Sequence, residues 1–296
     1  MSKVRIVTDS TSDIPADIRE RLGIHMVPLK VLFGEETFLD AVTIGTDEFY
    51  RRLKQSEALP TTSQPSPAEF TELYERLLAE DPSAPIISIH LPAVLSGTFQ
   101  SASIARSMMD DGADIALIDS KSASYGIGIQ VVKAAEMAAA GAGKQNILDE
   151  ISRIQQDMQL YFLVDSLEYL QKGGRIGRAS ALIGSLLNIK PILSLDQDGG
   201  VYAVDKVRGG KKAAARIAEM LKATFGDDPV VRRSMEELLA RDVMTIAWTD
   251  AKEASTELEE RIKSELNVKQ IGYATVGSVI GTHVGPGTSA VFMQRA

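Results

Sequence analysis

The sequence predicts an α/β protein of two domains. The first is built on a mainly parallel sheet with helices on both faces, the second on a mixed or antiparallel sheet. Three observations carry this expectation. The chain has 296 residues, more than one hydrophobic core usually serves, so two domains of about 150 residues each are expected. Up to residue 157, short apolar runs alternate with helix-length stretches, the pattern of successive strand–helix units. Further on, "PILSLDQDGGVYAVDKV" (191–207) sets Asp198-Gly199-Gly200 between two apolar runs, a hairpin signature. The domains are read as 1–157 and 158–296.

The elements follow in order. "VRIVTD" (4–9) reads as a buried strand ending in polar residues, and Pro15 suits the first turn of a helix to about Leu22. "IHMVPLKVLF" (24–33) reads as one strand, and Thr46 caps a helix to about Lys54. Ser66 and Glu69 bracket Pro67 in a capping box that opens a helix at 67–79. "PIISIHL" (85–91) and "DIALIDS" (114–120) are strands, each followed by a helix, at about 96–109 and 124–140. A helix at 145–157 leads into the second domain. There "LYFLVDS" (160–166), "VMTIAWTD" (243–250), "KQIGYATVG" (269–277) and "SAVFMQ" (289–294) supply strands. Helices are expected near 210–224, 230–240 and 252–265.

With 44% hydrophobic and 24% charged residues the composition is that of an ordinary globular protein. A net charge of −8 argues against a general nucleic-acid binder. The absence of cysteine excludes disulfides, thiolate zinc sites and cysteine nucleophiles. No signal-peptide pattern opens the chain, and no window approaches the roughly 18 apolar residues of a membrane span. A cytoplasmic address without membrane insertion is expected.

Polar clusters follow the strand ends, where open parallel sheets bind ligands. "TDSTSD" (8–13) offers Asp9 and Asp13 to a metal or, more simply, to local backbone. "TTSQPSP" (61–67) puts Thr61, Thr62 and Ser63 ahead of a helix start, as an anion site or as caps and turns. "VLSGTFQSA" (94–102) has Ser96 and Thr98 about Gly97, which permits close approach to a ligand. It fails the G-x-S-x-G pattern of a nucleophile elbow. "QKGGRIGRAS" (171–180) and "DKVRGGKKAAAR" (205–216) are basic, glycine-rich turns that include Arg175 and Arg208, and neither is a P-loop. On an acidic chain they point to phosphate or an acidic partner. In "ALIGSLLNIKPIL" (181–193), Leu182, Ile183, Leu186 and Leu187 fall on one helical face, with ordinary core as the default. His283, read on a tight glycine turn in "GTHVGPG" (281–287), is either a buried imidazole bonded within the second domain or a carboxylate or phosphate contact, and a Ser96–His283–Asp9 triad can be written only by free choice of residues.

Taken together, "IVTDSTSDIP" (6–15), "TTSQPSP", "LSGTFQSA" (95–102), "LEYLQKGGRIG" (167–177), "LLNIKPIL" (186–193) and "GTHVGPG", in this order, resemble the DegV family of bacterial fatty-acid-binding proteins, which includes the acyl carriers of fatty acid kinase. The resemblance spans nearly the whole chain. It implies two α/β domains with one fatty acid in the cleft between them. Thr62, Ser63, Ser96 and Gly97 would bind its carboxylate, with His283 a further ligand there. Leu182, Ile183 and Leu186 would line the acyl tunnel, and Arg175 and Arg208 would face the kinase or the added phosphate. The chain would be a monomeric carrier that presents its ligand to a kinase for conversion to acyl phosphate, with no metal, no cofactor and no catalytic residue. Pro92, where many relatives have Ser or Gly, and the charged stretch 227–242 depart from the family pattern. The alternatives are an acyl hydrolase or transferase using Ser96 and His283, and a phosphometabolite-binding regulatory module.

Overall fold

The computed structural model describes residues 3–184, 189–225, 244–250, 252–266 and 272–295. The helix expected at 230–240, the charged stretch 227–242 and Leu186 lie outside them. The chain divides into two compact units. One comprises Met1–Gln156, Gln197–Gly199 and Gly277–Ile280, the other Asp157–Asp196, Gly200–Val276 and Gly281–Ala296.

The first unit runs β1 (Arg5–Asp9), α1 (Ala16–Leu22), β2 (Ile24–Val27), β3 (Lys30–Phe33), β4 (Glu36–Leu39), α2 (Thr46–Gln55), β5 (Thr61–Ser63), α3 (Pro67–Glu80), β6 (Ile86–His90), α4 (Thr98–Ser107), β7 (Ile115–Asp119), α5 (Tyr125–Ala139) and α6 (Lys144–Asp157). Strands β2-β1-β6-β7 form a wholly parallel sheet. Alternation along its strands feeds two cores. Ile6, Ile87 and Ile89 pack with Ile127, Val131 and Ala134 of α5. Val7 and Ile86 pack on the other face with Phe70 and Tyr74 of α3 and Ala102 and Ala105 of α4. Burial on both faces explains why these strands read as continuous apolar runs.

Residues 24–33 are not one strand. Pro28 has no amide hydrogen to give a ladder, and the chain leaves the parallel sheet after Val27. It resumes at Lys30 in a separate antiparallel sheet, β4-β3-β5. That small sheet holds Thr61–Ser63 as an edge strand, with Thr62 opposite Val31.

The second unit contains β8 (Gln159–Leu163), α7 (Glu168–Lys172), β9 (Ile189–Leu195), β10 (Val201–Arg208), α8 (Gly210–Phe225), β11 (Met244–Trp248), α9 (Glu253–Leu266), β12 (Gly272–Thr275), α10 (Ser278–Val284) from Gly281 on, its first three residues counting with the first unit, and β13 (Ser289–Met293). Its sheet has the order β10-β9-β8-β13-β11-β12 and is mixed, with β11 and β12 parallel and the other pairs antiparallel. Ile192, Ile246 and Val291 meet Ile217 and Leu221 of α8 and Leu258 and Ile262 of α9 in one core. Among the described residues no helix is long and apolar enough to cross a membrane.

Candidate functional site

The strand ends of the parallel sheet carry a dense polar network. Asp9, the last residue of β1, caps a 3-10 turn (Ser10–Ser12) by accepting from the Thr11 amide at 3.0 Å, and from its hydroxyl. Its second oxygen takes the Leu91 amide at 3.1 Å and contacts His90 Nδ1 at 3.0 Å. His90 Nε2 meets the Ser88 hydroxyl at 2.6 Å, and Ser88 meets the Tyr74 hydroxyl at 2.9 Å. Asp9, Ser88, His90 and Tyr74 are all fully buried. The local-backbone reading of "TDSTSD" describes the cap. The long-range partner His90 was missed. Its only sequence signal is that Ser88 and His90, two apart on a strand, share a face otherwise lined by apolar residues.

Two further carboxylates lie nearby in sequence. Asp13, held at φ +51°, accepts from the Ser124 hydroxyl at 2.5 Å. Burial pushes its carboxyl well above the ordinary range, against the lowering effect of Ser124 and the Gly277 amide. A side chain at position 277 would collide with Asp13, so glycine is required there. Asp40 is raised to about 6 by burial, despite hydrogen bonds from Ser10 and Ser278. Among the described residues no group of three or more His, Asp or Glu side chains is placed to hold a metal.

The segment after Thr62–Ser63 meets the Ser96–Gly97 turn through one side chain, that of Gln64. A Cβ on Gly97 would lie 2.8 Å from Gln64 Nε2, so the residue after Ser63 rests on the backbone that starts α4. That helix begins at Thr98 rather than Ser96. The Ser96 hydroxyl contacts the Thr98 hydroxyl at 2.9 Å and accepts from the Thr98 amide at 3.3 Å. The loop before it is tight. Pro92 carbonyl accepts from the amides of Leu95 at 2.9 Å and Ser96 at 3.2 Å, and Asp119 accepts from the Ala93 amide at 3.2 Å. Pro92 is therefore compatible with a well-pinned loop. Val94 stands out from it, 58% exposed.

His283 is not on a glycine turn but in the last turn of α10, and the glycines follow it. Gly285 (φ +77°) and Gly287 (φ +72°) are left-handed, and a Cβ would strike Tyr169 at the first and Asp165 at the second. A Cβ on Gly173 would strike His283 Nδ1. Glycine at 173 thus lets the turn after α7 press on the imidazole that α10 carries. Burial and the Arg175 charge lower the pKa of His283 to about 4, so at neutral pH it is uncharged, with one donor and one acceptor nitrogen. Arg175 is fixed by a 2.7 Å bond to the Gly173 carbonyl.

Arg175 and Arg208 are not neighbours. The Arg175 turn runs into Gly177, where a Cβ would strike the carbonyl of Val201, the first residue of β10. Arg208 is the last residue of that strand, at the end opposite the one Gly177 packs on. The helical stripe is corrected at its described residues, 182–184. A 3-10 helix ends at Leu182, Ile183 is extended and Gly184 has φ +84°. Leu182 is half-buried and Ile183 is 45% exposed.

The chain was compared with known proteins. A family model described as an uncharacterised protein of the DegV family matches residues 3–296. A DegV domain-containing protein of Caldanaerobacter subterraneus is 39% identical over 295 residues, the full length of both chains. Among solved structures, a DegV family protein of Thermus thermophilus described as binding fatty acid has a TM-score of 0.86 and 33% identity, over 99% of this chain and 100% of that one. DegV of Bacillus subtilis, described as a fatty acid binding protein, has a TM-score of 0.82 and 34% identity over 100% of both chains.

Proposed function

The chain belongs to the DegV family, and on that premise we propose that it binds a long-chain fatty acid and presents the carboxylate to a partner fatty acid kinase, without being an enzyme itself. The observation that carries this reading is the full-length likeness to solved proteins described as fatty-acid-binding. The chemistry of the residues supports it. Burying an alkyl tail gains about 0.8 kcal/mol per methylene, so the tail supplies most of the affinity. A carboxylate withdrawn from water must recover its hydrogen bonds. Thr62, Ser63, Ser96 and the Gly97 amide are the proposed donors. His283, a neutral imidazole beside Arg175, is the proposed further head-group ligand. Leu182 remains a candidate tail contact.

In the proposed reaction the kinase moves a phosphoryl group from ATP to the bound carboxylate, giving acyl phosphate and ADP. Arg175 would offset the added negative charge. Exposed Arg208, at the far end of β10, is assigned to the partner's surface. The hydrolase alternative has lost its acid, because Asp9 is committed to His90, Leu91 and Thr11.

The test is to denature the purified protein, extract with organic solvent and identify released small molecules by mass spectrometry. Near-stoichiometric fatty acid is the expected result. No extracted lipid, together with no uptake of added fatty acid, would overturn the proposal and bring the phosphate-binding reading forward.

A further inference from the structure

Ser88, His90 and Asp9 meet the distances of a hydrolase triad, serine hydroxyl to imidazole at 2.6 Å and imidazole to carboxylate at 3.0 Å. They cannot act as one. All three are fully buried, and the serine oxygen is also bonded to Tyr74. The chain of bonds ends instead on a piece of backbone. The Asp9 oxygen that faces His90 also holds the Leu91 amide, and Leu91 opens the loop that delivers Ser96 and Gly97.

We infer that Asp9 and His90 are positioning residues for the Leu91–Gly97 loop, setting where the Ser96 hydroxyl and Gly97 amide meet a ligand carboxylate. The carboxylate part of this inference rests on the proposed function. With an imidazole proton on Nδ1 and Nε2 as acceptor, the hydroxyl of Tyr74 donates to Ser88, Ser88 donates to His90 Nε2, and Nδ1–H donates to Asp9. Burial raises the Tyr74 phenol further above its ordinary pKa, which keeps it in the donor role. Each donor is used once, and Asp9 remains free to fix Leu91. Phe70 closes one side of the imidazole, edge to face at 5.0 Å between ring centres, so ring and carboxylate have little room to turn. The loop is then held by two hydrogen bonds, Leu91 by Asp9 and Ala93 by Asp119, and the Gln64 side chain packs against Gly97. Of these anchors only the first is fully buried.

The test uses the full-length protein, freed of lipid, and the ratio of its affinities for oleic acid and methyl oleate. The two share a tail and differ in the head group. Asparagine can place its amide nitrogen where imidazole has Nδ1, while glutamine reaches only the Nε2 position. H90N therefore keeps the bond to Asp9, and H90Q loses it. Expected are a fall of about tenfold in acid-over-ester preference for D9N, a fall in the same direction for H90Q, and near-wild-type preference for H90N. A merely space-filling role gives the reverse order for the two His90 variants, because glutamine is closer to histidine in volume. Hydrogen exchange of the Leu91–Gly97 amides is measured on the same proteins and needs no ligand. It is expected to quicken in H90Q and D9N but not in H90N. Folded D9N and H90Q proteins with unchanged loop exchange would overturn the inference, whatever lipid they bind. Wild-type protein that binds neither lipid while H90Q loosens the loop would sink the fatty-acid reading and leave the positioning role standing. If D9N does not fold, the two His90 variants decide.

Discussion

The strand ends of the parallel sheet and the His283 corner of the second unit both bury titratable groups, among different neighbours. Around Asp9, Asp13 and Asp40 the chain supplies donors: hydroxyls of Ser10, Thr11, Ser124 and Ser278, amides of Thr11, Leu91 and Gly277, and an imidazole. At and after His283 it supplies glycine: Gly173 lies against the imidazole, and Gly285 and Gly287 leave room for Tyr169 and Asp165. Burial acts in both regions, raising Asp13 and Asp40 and lowering His283; donors oppose it in the first, and the Arg175 charge adds to it in the second. Polar groups are costly to bury either way, and the two solutions fail differently when perturbed.

The largest effect is expected where several donors share one acceptor. Asp9→Ala strips the partner from His90, Leu91 and Thr11 at once, and at about 1–3 kcal/mol for each buried group left unsatisfied the loss should exceed about 3 kcal/mol. Urea denaturation measures it, and a loss below about 1 kcal/mol would mean the network is not cooperative. In the other region Gly285→Ala forces a side chain into Tyr169 at φ +77°, for a loss of about 2–3 kcal/mol, read in the same way.

The pH response sharpens the contrast. Asp40 is raised from 3.8 to about 6, so the folded state holds a proton that the unfolded state releases first. Its contribution is complete below pH 4 and is lost as pH rises through 6, by up to about 3 kcal/mol. His283 is lowered from 6.5 to about 4. The unfolded state binds that proton first, so its contribution is complete above pH 6.5 and is lost as pH falls through 4. The two slopes oppose each other over one window. D40N should gain stability over wild type as pH rises from 4 to 6, and H283Q should gain over wild type as pH falls from 6.5 to 4. Denaturation midpoints at four or five pH values check both, and parallel curves for all three proteins would contradict the assignment. Smallest is Tyr74→Phe, which leaves Ser88 and His90 paired and should cost about 1 kcal/mol.

The sequence reveals what is local. The capping box at Ser66 and Glu69 forms as read, with reciprocal bonds of 2.7 and 3.3 Å. Pro15, the Asp198-Gly199-Gly200 hairpin and the apolar strands are likewise local signals. What it concealed depends on distant partners. His90 and Asp9 lie 81 residues apart and meet only because β1 and β6 are adjacent. The three residues of β5 are too few for a period and become a strand only because β3 accepts them. The stripe at 182–187 obeys helical spacing, but Gly184 adopts a left-handed conformation that helices exclude. The glycines of "GTHVGPG" were legible as close approach, while their partners Tyr169 and Asp165 were not.

The central claim is that a fatty acid is the ligand and that its head group is held by the proposed hydroxyl donors Thr62, Ser63 and Ser96. Calorimetric titration of lipid-free wild-type protein and of S96A with oleic acid tests it most directly. The account predicts saturable binding of one fatty acid by the wild type and about tenfold weaker binding by a fully folded S96A. Equal affinity of the two would contradict the head-group assignment, and no binding by either would contradict the fatty-acid reading itself.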